Sequence, residues 1–292
     1  MDLKTLLNKA GLKPALVIGN GINRYNSDDK NNSWEKLLIR LWSKRVGTKA
    51  LDIPIGISLT EFYDALDLTS EKQSKSLQVE FCELMAKWQV KPQHKLIVEW
   101  ASKNNAPILT TNFESTLSDV FDAKIKHLEP KKFTDYYPWG SYYSPNIVKN
   151  ISDDFGIWHI NGLQKYSRSI RLGLSHYMGA VERARPYLHR GNDRLFKTAD
   201  VNNWLGKNTW LNIFFKNDLI FFGLALDSAE IFLRWLLIER AKFFKKHPQC
   251  KREGYYFHVD KLPLGQKLFL ESIGFKIIQV TDYIEIYENP WQ

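Results

Sequence analysis

An apolar run that ends in two glycines constrains the fold of this 292-residue chain more than any other stretch. The run is Ala15-Leu16-Val17-Ile18, and Gly19-Asn20-Gly21-Ile22-Asn23 follows it. Four consecutive apolar residues are typical of a strand covered on both faces of a parallel sheet. Glycines let a backbone turn sharply and approach a ligand closely, so we expect unpaired N–H groups here to face an anion. An ordinary tight turn explains this stretch equally well when it is taken alone.

The dinucleotide-binding fingerprint is incomplete at this turn. Arg24 stands where a third glycine is required, and no acidic residue ends a second strand about 20 residues further on. Residues 32–45 instead carry apolar side chains at helical spacing, and Asn32 and Glu35 are placed to form a capping box. We therefore predict a helix over residues 32–45.

Three later segments also predict strands that end in a turn. Residues 106–110 lead into Thr111-Asn112-Phe113-Glu114, and residues 218–224 contain a buried strand that reaches Gly223. In residues 156–162, alternation places His159 and Asn161 on one face, where we expect both to reach the same space. Ligands of open parallel sheets bind at the carboxyl ends of strands, so these ends could face one crevice. Alternatively, Thr111 or Asn112 caps the following helix.

Repeated alternation of strands and helices predicts an α/β fold. We expect a Rossmann-like, mostly parallel sheet with helices on both faces and a helical insertion. Residues 1–292 would form a single domain, with residues 15–125 and 205–292 as its core and about 126–204 as the inserted segment. We further predict a short strand at residues 169–174, a basic helix at residues 175–188, and a capping box of Asp227 and Glu230 before a long helix.

Composition excludes several classes of protein. Cys82 and Cys250 are far apart and no export signal precedes them, which predicts a reducing, cytoplasmic location without disulfides. Close Cys or His pairs are missing, so we predict no structural zinc. Apolar runs fall short of the roughly 20 residues that span a bilayer. The net charge is +9, and the basic residues cluster in residues 165–197 and 239–253. Solvated helix faces explain most clusters of this kind. A binding surface for nucleic acid, for an acidic partner or for an anionic small molecule would explain them too.

Four short motifs, in order, resemble the sirtuin family. Gly19-Asn20-Gly21-Ile22-Asn23 resembles that family's Gly-Ala-Gly-Ile-Ser loop, and the run from Ser33-Trp34 to Leu38 resembles the Ser-Trp-x-x-Leu-Leu run of its bacterial branch. Thr110-Thr111-Asn112-Phe113-Glu114 is similar to Thr-Gln-Asn-Ile-Asp, whose Asn binds near the nicotinamide ribose. His159-Ile160-Asn161-Gly162 is similar to the His-Gly motif of the catalytic histidine, and Phe221-Phe222-Gly223 to the glycine on the adenosine side.

The departures from the sirtuin pattern indicate which branch of the family the chain resembles most. The middle of the chain lacks the four zinc-binding cysteines of sirtuin deacylases, so the chain most resembles the zinc-free sirtuin-like proteins of bacterial antiphage defence, which hydrolyse NAD. Glu114 replaces Asp, and Asn161 stands where the catalytic histidine is usual. Either this exchange impairs catalysis, or His159 supplies the base from two residues away.

The resemblance implies an NAD glycohydrolase that forms nicotinamide and ADP-ribose as an effector of abortive antiphage defence. NAD would be the substrate, no metal would be needed, and a homo-oligomer or a partner protein would control the activity. The alternative is a catalytically impaired module that binds NAD or ADP-ribose, or contacts nucleic acid or a partner protein. The implied catalytic residues are Asn112, His159 and Asn161, and the implied dinucleotide-binding residues are Gly19, Asn20, Gly21, Ile22, Asn23, Thr110, Thr111, Gly223 and Leu224.

Overall fold

One eight-stranded sheet organises the molecule. The computed structural model describes residues 1–27, 32–47, 52–70 and 74–292. In chain order the strands are β1 (Pro14–Ile18), β2 (Ile108–Thr110), β3 (Ile125–His127), β4 (Ser141–Tyr143), β5 (Ile157–His159), β6 (Asp218–Phe222), β7 (Gly254–His258) and β8 (Phe275–Gln279).

The strand order is β3-β4-β5-β2-β1-β6-β7-β8. The neighbours from β5 to β8 all pair in parallel, whereas β3 and β4 are antiparallel and extend one edge. Numbered by their position in the chain, the parallel strands lie in the order 3-2-1-4-5-6, which is the order of Rossmann dinucleotide-binding folds. The predicted α/β, Rossmann-like, mostly parallel sheet is therefore confirmed.

Helices cover both faces of the sheet, because alternate strand residues are apolar on either side. Within the described residues they are α1 (Leu3–Leu7), α2 (Gly21–Arg24), α3 (Trp34–Arg45), α4 (Leu59–Thr69), α5 (Leu77–Met85), α6 (Pro92–Lys103), α7 (Leu174–His189), α8 (Leu195–Thr198), α9 (Leu211–Lys216), α10 (Ile231–Lys246), α11 (Leu264–Ser272) and α12 (Ile284–Tyr287).

Three apolar cores result from this arrangement. Leu16 and Ile18 of β1 belong to a core shared with α1, α6 and α12. Val17 of β1 points to the other face and belongs to a core shared with α7, α9 and α10. Helices α3, α4 and α5 form the third core with Phe113, so this helical layer lies beside the carboxyl ends of the central strands.

Both predicted capping boxes are wrong. Helix α3 begins after Ser33, and the Asn32 side chain instead donates to the backbone oxygen of Asn23 at 3.3 Å. Helix α10 begins after Glu230, and Asp227 accepts from the backbone N–H of Ala229 at 2.8 Å without capping the helix. In both cases the side chain makes its hydrogen bond within a turn and does not cap the helix.

Two predictions about the middle of the chain also fail. Residues 169–174 contain no strand. The Arg171 N–H donates to the Asn161 carbonyl at 2.9 Å and not to a neighbouring strand, while the apolar side chains of Ile170 and Leu172 pack into the third core. Strand β5 lies inside the predicted insertion, residues 126–204, yet it pairs with β2 as a core strand. The sequence pattern predicted this strand, but its pairing with β2 is a long-range contact that a local pattern does not encode.

Two further observations concern the cysteines and the lengths of the helices. Cys82 and Cys250 are both free thiols. Within the described residues, no helix combines the length and the apolar character needed to cross a bilayer.

Candidate functional site

A crevice opens where the chain passes from β1 on one side to β6 on the other. Strands β1 and β6 are neighbours, but β1 continues toward β2 and β6 toward β7, so their following turns diverge. This is the switch point at which open α/β sheets bind ligands. A cavity of ≈ 510 Å³ lies there, which is within the range of small-molecule sites.

Five of the predicted dinucleotide-binding residues line this crevice cavity. They are Asn20, Gly21, Thr111, Gly223 and Leu224. The remaining four lie behind its wall. Ile22 is fully buried in the core, and the Thr110 hydroxyl donates to the Ile18 carbonyl at 2.9 Å. Gly19 donates its N–H to the Phe222 carbonyl, and Asn23 donates its side-chain amide to Glu114.

The glycines of the crevice pack against one another. The Gly21 N–H donates to the Gly223 carbonyl at 2.7 Å, and the Gly19 N–H donates to the Phe222 carbonyl at 3.2 Å. A Cβ on Gly19 would overlap the Gly223 carbonyl oxygen, and one on Gly21 would lie 2.6 Å from Gly223 Cα. The expectation that these two N–H groups are unpaired and face an anion is therefore wrong, because strand β6 already supplies their acceptors.

A buried polar network holds the β1 turn against the β2 turn. Asn23 Nδ2 donates to Glu114 Oε1 at 2.8 Å, and Asn23 Oδ1 lies 3.0 Å from His94 Nε2. Burial raises the pKa of Glu114 and lowers the pKa of His94 to about 4. Because the backbone N–H of Lys91 donates to His94 Nδ1, the neutral ring donates through Nε2 to Asn23. Asn23 is thus a structural link between turns.

Asn112 connects the ends of three strands. Its Nδ2 donates to the Gly19 carbonyl at 3.5 Å, and its own carbonyl accepts from His159 Nδ1 at 2.7 Å. The side chain is fully buried, and its Oδ1 has no hydrogen-bond partner in the described structure. The ends of β1, β2 and β5 therefore meet at one edge of the sheet.

His159 faces a second cavity. This His159 cavity, of ≈ 520 Å³, is also lined by Phe113, Glu114 and Tyr143. The ring of Trp34, which lines the crevice, stacks on the Phe113 ring at a centroid distance of 4.7 Å, so this pair separates the two cavities. Burial lowers the pKa of His159 to about 4, and its neutral ring leaves Nε2 as an acceptor.

Asn161 is directed toward Glu230 in the crevice wall, away from His159. Strand β5 ends at His159, and the chain then turns at Gly162, where φ is +102°. Asn161 Nδ2 donates to Glu230 Oε2 at 3.3 Å, and Glu230 lines the crevice cavity. The expectation that His159 and Asn161 share one space is wrong, because strand alternation stops before Asn161.

Three crevice residues escaped the sequence analysis as site residues. Glu230 is buried, and burial raises its pKa to about 7 with a further contribution from the negative charge of Asp227. Arg171 is 4% exposed, and burial lowers its pKa to about 10. Tyr177 of α7 is buried and lines the same cavity. The only sequence signal was a lone arginine between two apolar residues, Ile170 and Leu172.

Arg171 is held by neutral acceptors. One guanidinium nitrogen donates to the Tyr136 carbonyl at 2.8 Å, another donates to the Ser169 carbonyl, and the group lies 4.8 Å from the centre of the Tyr137 ring. Nε has no hydrogen-bond partner in the described structure. A buried cation without a carboxylate against it favours an anionic group in the crevice.

At the opposite end, the crevice is bounded by the turns after β7 and β8. The Tyr256 hydroxyl donates to the Leu224 carbonyl at 2.6 Å and fixes the turn after β6. The Tyr287 hydroxyl lies over Gly21 and Gly223, is buried, and lacks a partner among the described residues. It is therefore available to a ligand that reaches the glycine turns.

The described residues contain no group of three or more His, Cys, Asp or Glu side chains arranged to hold a metal ion. A scan against models of protein families and a search of curated proteins both find no match to this chain.

Proposed function

We propose that this protein is an NAD glycohydrolase that converts NAD to nicotinamide and ADP-ribose. The observation that carries the proposal is the crevice at the β1/β6 switch point of a sheet with Rossmann strand order. Both glycine turns singled out by the sirtuin resemblance, at Gly21 and Gly223, line that crevice.

The charges of the crevice complement those of NAD. Buried Arg171 offers a guanidinium to a pyrophosphate or another anionic group, and buried Glu230 offers a carboxyl group near the ribose, where positive charge develops during the reaction. In the resemblance, Gly223 belongs to the adenosine side. The nicotinamide ribose would then lie toward Thr111, Arg171 and Glu230, away from the turns after β7 and β8.

The proposed reaction needs little acid or base catalysis at the leaving group. Nicotinamide departs as a neutral molecule from a cationic ring, and positive charge develops on the ribose. The protein has to hold the dinucleotide, stabilise that charge and place a water molecule at C1 of the ribose. Tyr287 and the glycine turns suit the first task, and the polar cluster of Asn161 and Glu230 suits the other two.

The proposed biological role follows from the resemblance. NAD hydrolysis depletes a cofactor that a cell cannot replace quickly, which suits an effector of abortive antiphage defence. Such an activity needs control, and we propose that contacts within a homo-oligomer or with an activating partner provide it.

Nicotinamide release tests this function directly. Purified protein, alone and with lysate of phage-infected bacteria, should release nicotinamide from NAD in amounts equal to the ADP-ribose formed, measured by chromatography. An Asn161→His variant is tested beside it, because a neutral imidazole can accept the proton that an amide cannot. If neither protein releases nicotinamide, the proposed enzyme activity is wrong.

A second function is favoured by one observation: Asn161 is an amide at the place where the resemblance has the catalytic histidine. The protein would then bind NAD or ADP-ribose as a sensor without turnover. Calorimetry that detects tight binding, followed by recovery of unchanged ligand, would support this function over hydrolysis.

A further inference from the structure

The crevice contains few groups that can take a proton from water. Asn161 cannot do so, and His159 lies on the far side of the Trp34–Phe113 stack. The titratable carboxyl and imidazole groups that line the crevice are Glu35, Asp227, Glu230, His258 and Asp260. Of these, only Glu230 is buried.

We propose that Glu230 is the general base that activates the attacking water, and that Asn161 is the residue that positions its carboxylate. This inference deepens the proposed function and rests on it. Its basis is the hydrogen bond of 3.3 Å between Asn161 Nδ2 and Glu230 Oε2, which joins the carboxylate to the end of β5. The chain thus has a carboxylate beside Asn161, the position at which the resemblance has an imidazole.

The backbone around Glu230 aims the side chain at this end of the crevice. The Glu230 N–H donates to the Asp227 carbonyl at 3.2 Å, which closes a turn between β6 and α10. The preceding residue, Ala229, accepts from the Thr60 hydroxyl at 3.5 Å, so helix α4 holds the same turn from the opposite side. The backbone turn that carries Glu230 is therefore held by α4, and Asn161 holds the carboxylate itself.

The surroundings of Glu230 suit a base that works near neutral pH. Asp227 faces it from its own turn, Tyr177 faces it from α7, and Arg171 lines the same cavity. Burial and then Asp227 raise the pKa of Glu230 to about 7, while the hydrogen bond from Asn161 lowers it. A base is most effective when its pKa lies near the working pH.

The proposed step is a hydrolysis at C1 of the ribose. The bond between C1 of the ribose and the nicotinamide nitrogen breaks, and its electron pair leaves with nicotinamide. The water oxygen forms a bond to C1, and Glu230 takes one proton of that water. Glu230 then returns the proton to solvent, so the products are nicotinamide, ADP-ribose and one released proton.

The test compares Glu230→Gln with Glu239→Gln, using NAD as the probe and the full chain throughout. Glu239 is also a buried glutamate near Glu230 in sequence, but it pairs with His189 and Lys242 outside the crevice. We expect E230Q to lower kcat by about 10²- to 10⁴-fold while the calorimetric Kd for NAD changes less than about threefold. E239Q should keep the wild-type kcat.

Two further readouts separate a base from a merely structural residue. In the wild type, kcat/KM should fall tenfold per pH unit below about pH 7, and this acid limb should be missing in E230Q. Azide is a nucleophile that needs no deprotonation, so it should restore turnover of E230Q and give the azido derivative of ADP-ribose. Thermal unfolding of E230Q and of Glu230→Asp checks that both variants fold.

The outcomes distinguish the inference from the function. If the wild type releases nicotinamide and E230Q keeps its kcat and its acid limb, the role of Glu230 is wrong and the function stands. If folded E230Q is slow but azide leaves it slow and the acid limb persists, Glu230 is a structural residue. If the wild type releases no nicotinamide, the proposed function is wrong and this inference falls with it.

Discussion

At the scale of single residues, the crevice glycines are explained by the approach of two backbone turns. Gly19 lies against the backbone of Gly223 and Leu224, and Gly21 lies beneath the Tyr287 hydroxyl. Side chains at these positions would push β1 away from β6. The glycines therefore shape the crevice, and a ligand meets the surface that their packing creates.

Gly19→Ala should accordingly destabilise the protein by about 1–3 kcal/mol, since the new Cβ would meet backbone atoms that cannot move aside. Gly265→Ala is the matched control, because Gly265 lies in α11 with nothing within 4 Å of the added Cβ. The control should be neutral or stabilising by up to about 1 kcal/mol. Urea unfolding measures both, and equal stability of the two variants would contradict the packing role of Gly19.

Glu230 should also make the stability depend on pH, independently of any activity. The pKa of its carboxyl is about 7 in the folded protein against 4.5 for the free side chain. The stability it contributes is therefore complete below about pH 4.5 and is lost as the pH rises to about 7, by about 3 kcal/mol in total.

Glu230→Gln removes this dependence, so the variant should gain stability relative to the wild type between about pH 4 and pH 8. Unfolding free energies of the two proteins at several pH values provide the measurement. Parallel curves across that range would contradict the burial of an ionisable carboxyl at this position.

At the scale of elements, helix α6 fixes the β1 turn to the β2 turn. His94, near the start of α6, donates to Asn23, and Asn23 donates to Glu114. Gln93 adds a bond of 2.8 Å to the Ile22 carbonyl. Helix α6 thereby sets the spacing between the ends of β1 and β2, on which the crevice wall depends.

Asn23→Ala should therefore cost about 2 kcal/mol or more, because it leaves buried His94 without its acceptor and takes one of its donors from buried Glu114. Asn202→Ala, at an exposed position, should stay within about 0.5 kcal/mol of the wild type. Chemical unfolding reports the difference. If Asn23→Ala lowers the free energy of unfolding only slightly, water replaces the hydrogen bonds of the Asn23 side chain.

At the scale of the whole molecule, the exposed lysines at the end of α10 and the crevice are separate features. Helix α10 begins beside Glu230 and ends at Lys246, so Lys245 and Lys246 lie about 22 Å along its axis from the crevice. Charges at that distance are largely screened at physiological ionic strength. Both lysines are exposed, as expected for a solvated helix face.

Reversing Lys245 and Lys246 to Glu should leave the calorimetric Kd for NAD unchanged within about twofold. Arg171→Met should weaken NAD binding by about tenfold or more, because it removes the buried cation of the crevice. Binding that depends on the two lysines and falls steeply with salt would instead support a nucleic-acid ligand.

The sequence alone determined the α/β class and most of the strands, because a covered strand needs an apolar run and this is a local property. It also identified the turns at Gly21, Thr111 and Gly223 that line the crevice. Side-chain alternation misplaced Asn161, since the turn at Gly162 is set by backbone dihedrals that alternation does not encode.

Only the tertiary structure decided which groups share the crevice. The strand order brings β6 beside β1, although 204 positions separate their last paired residues, Ile18 and Phe222. Asn161 and Glu230 are 69 positions apart, and neither residue's neighbours in sequence predict their hydrogen bond. Contacts of this kind depend on how packed elements are oriented, so local propensity determined the strands and long-range packing determined the site.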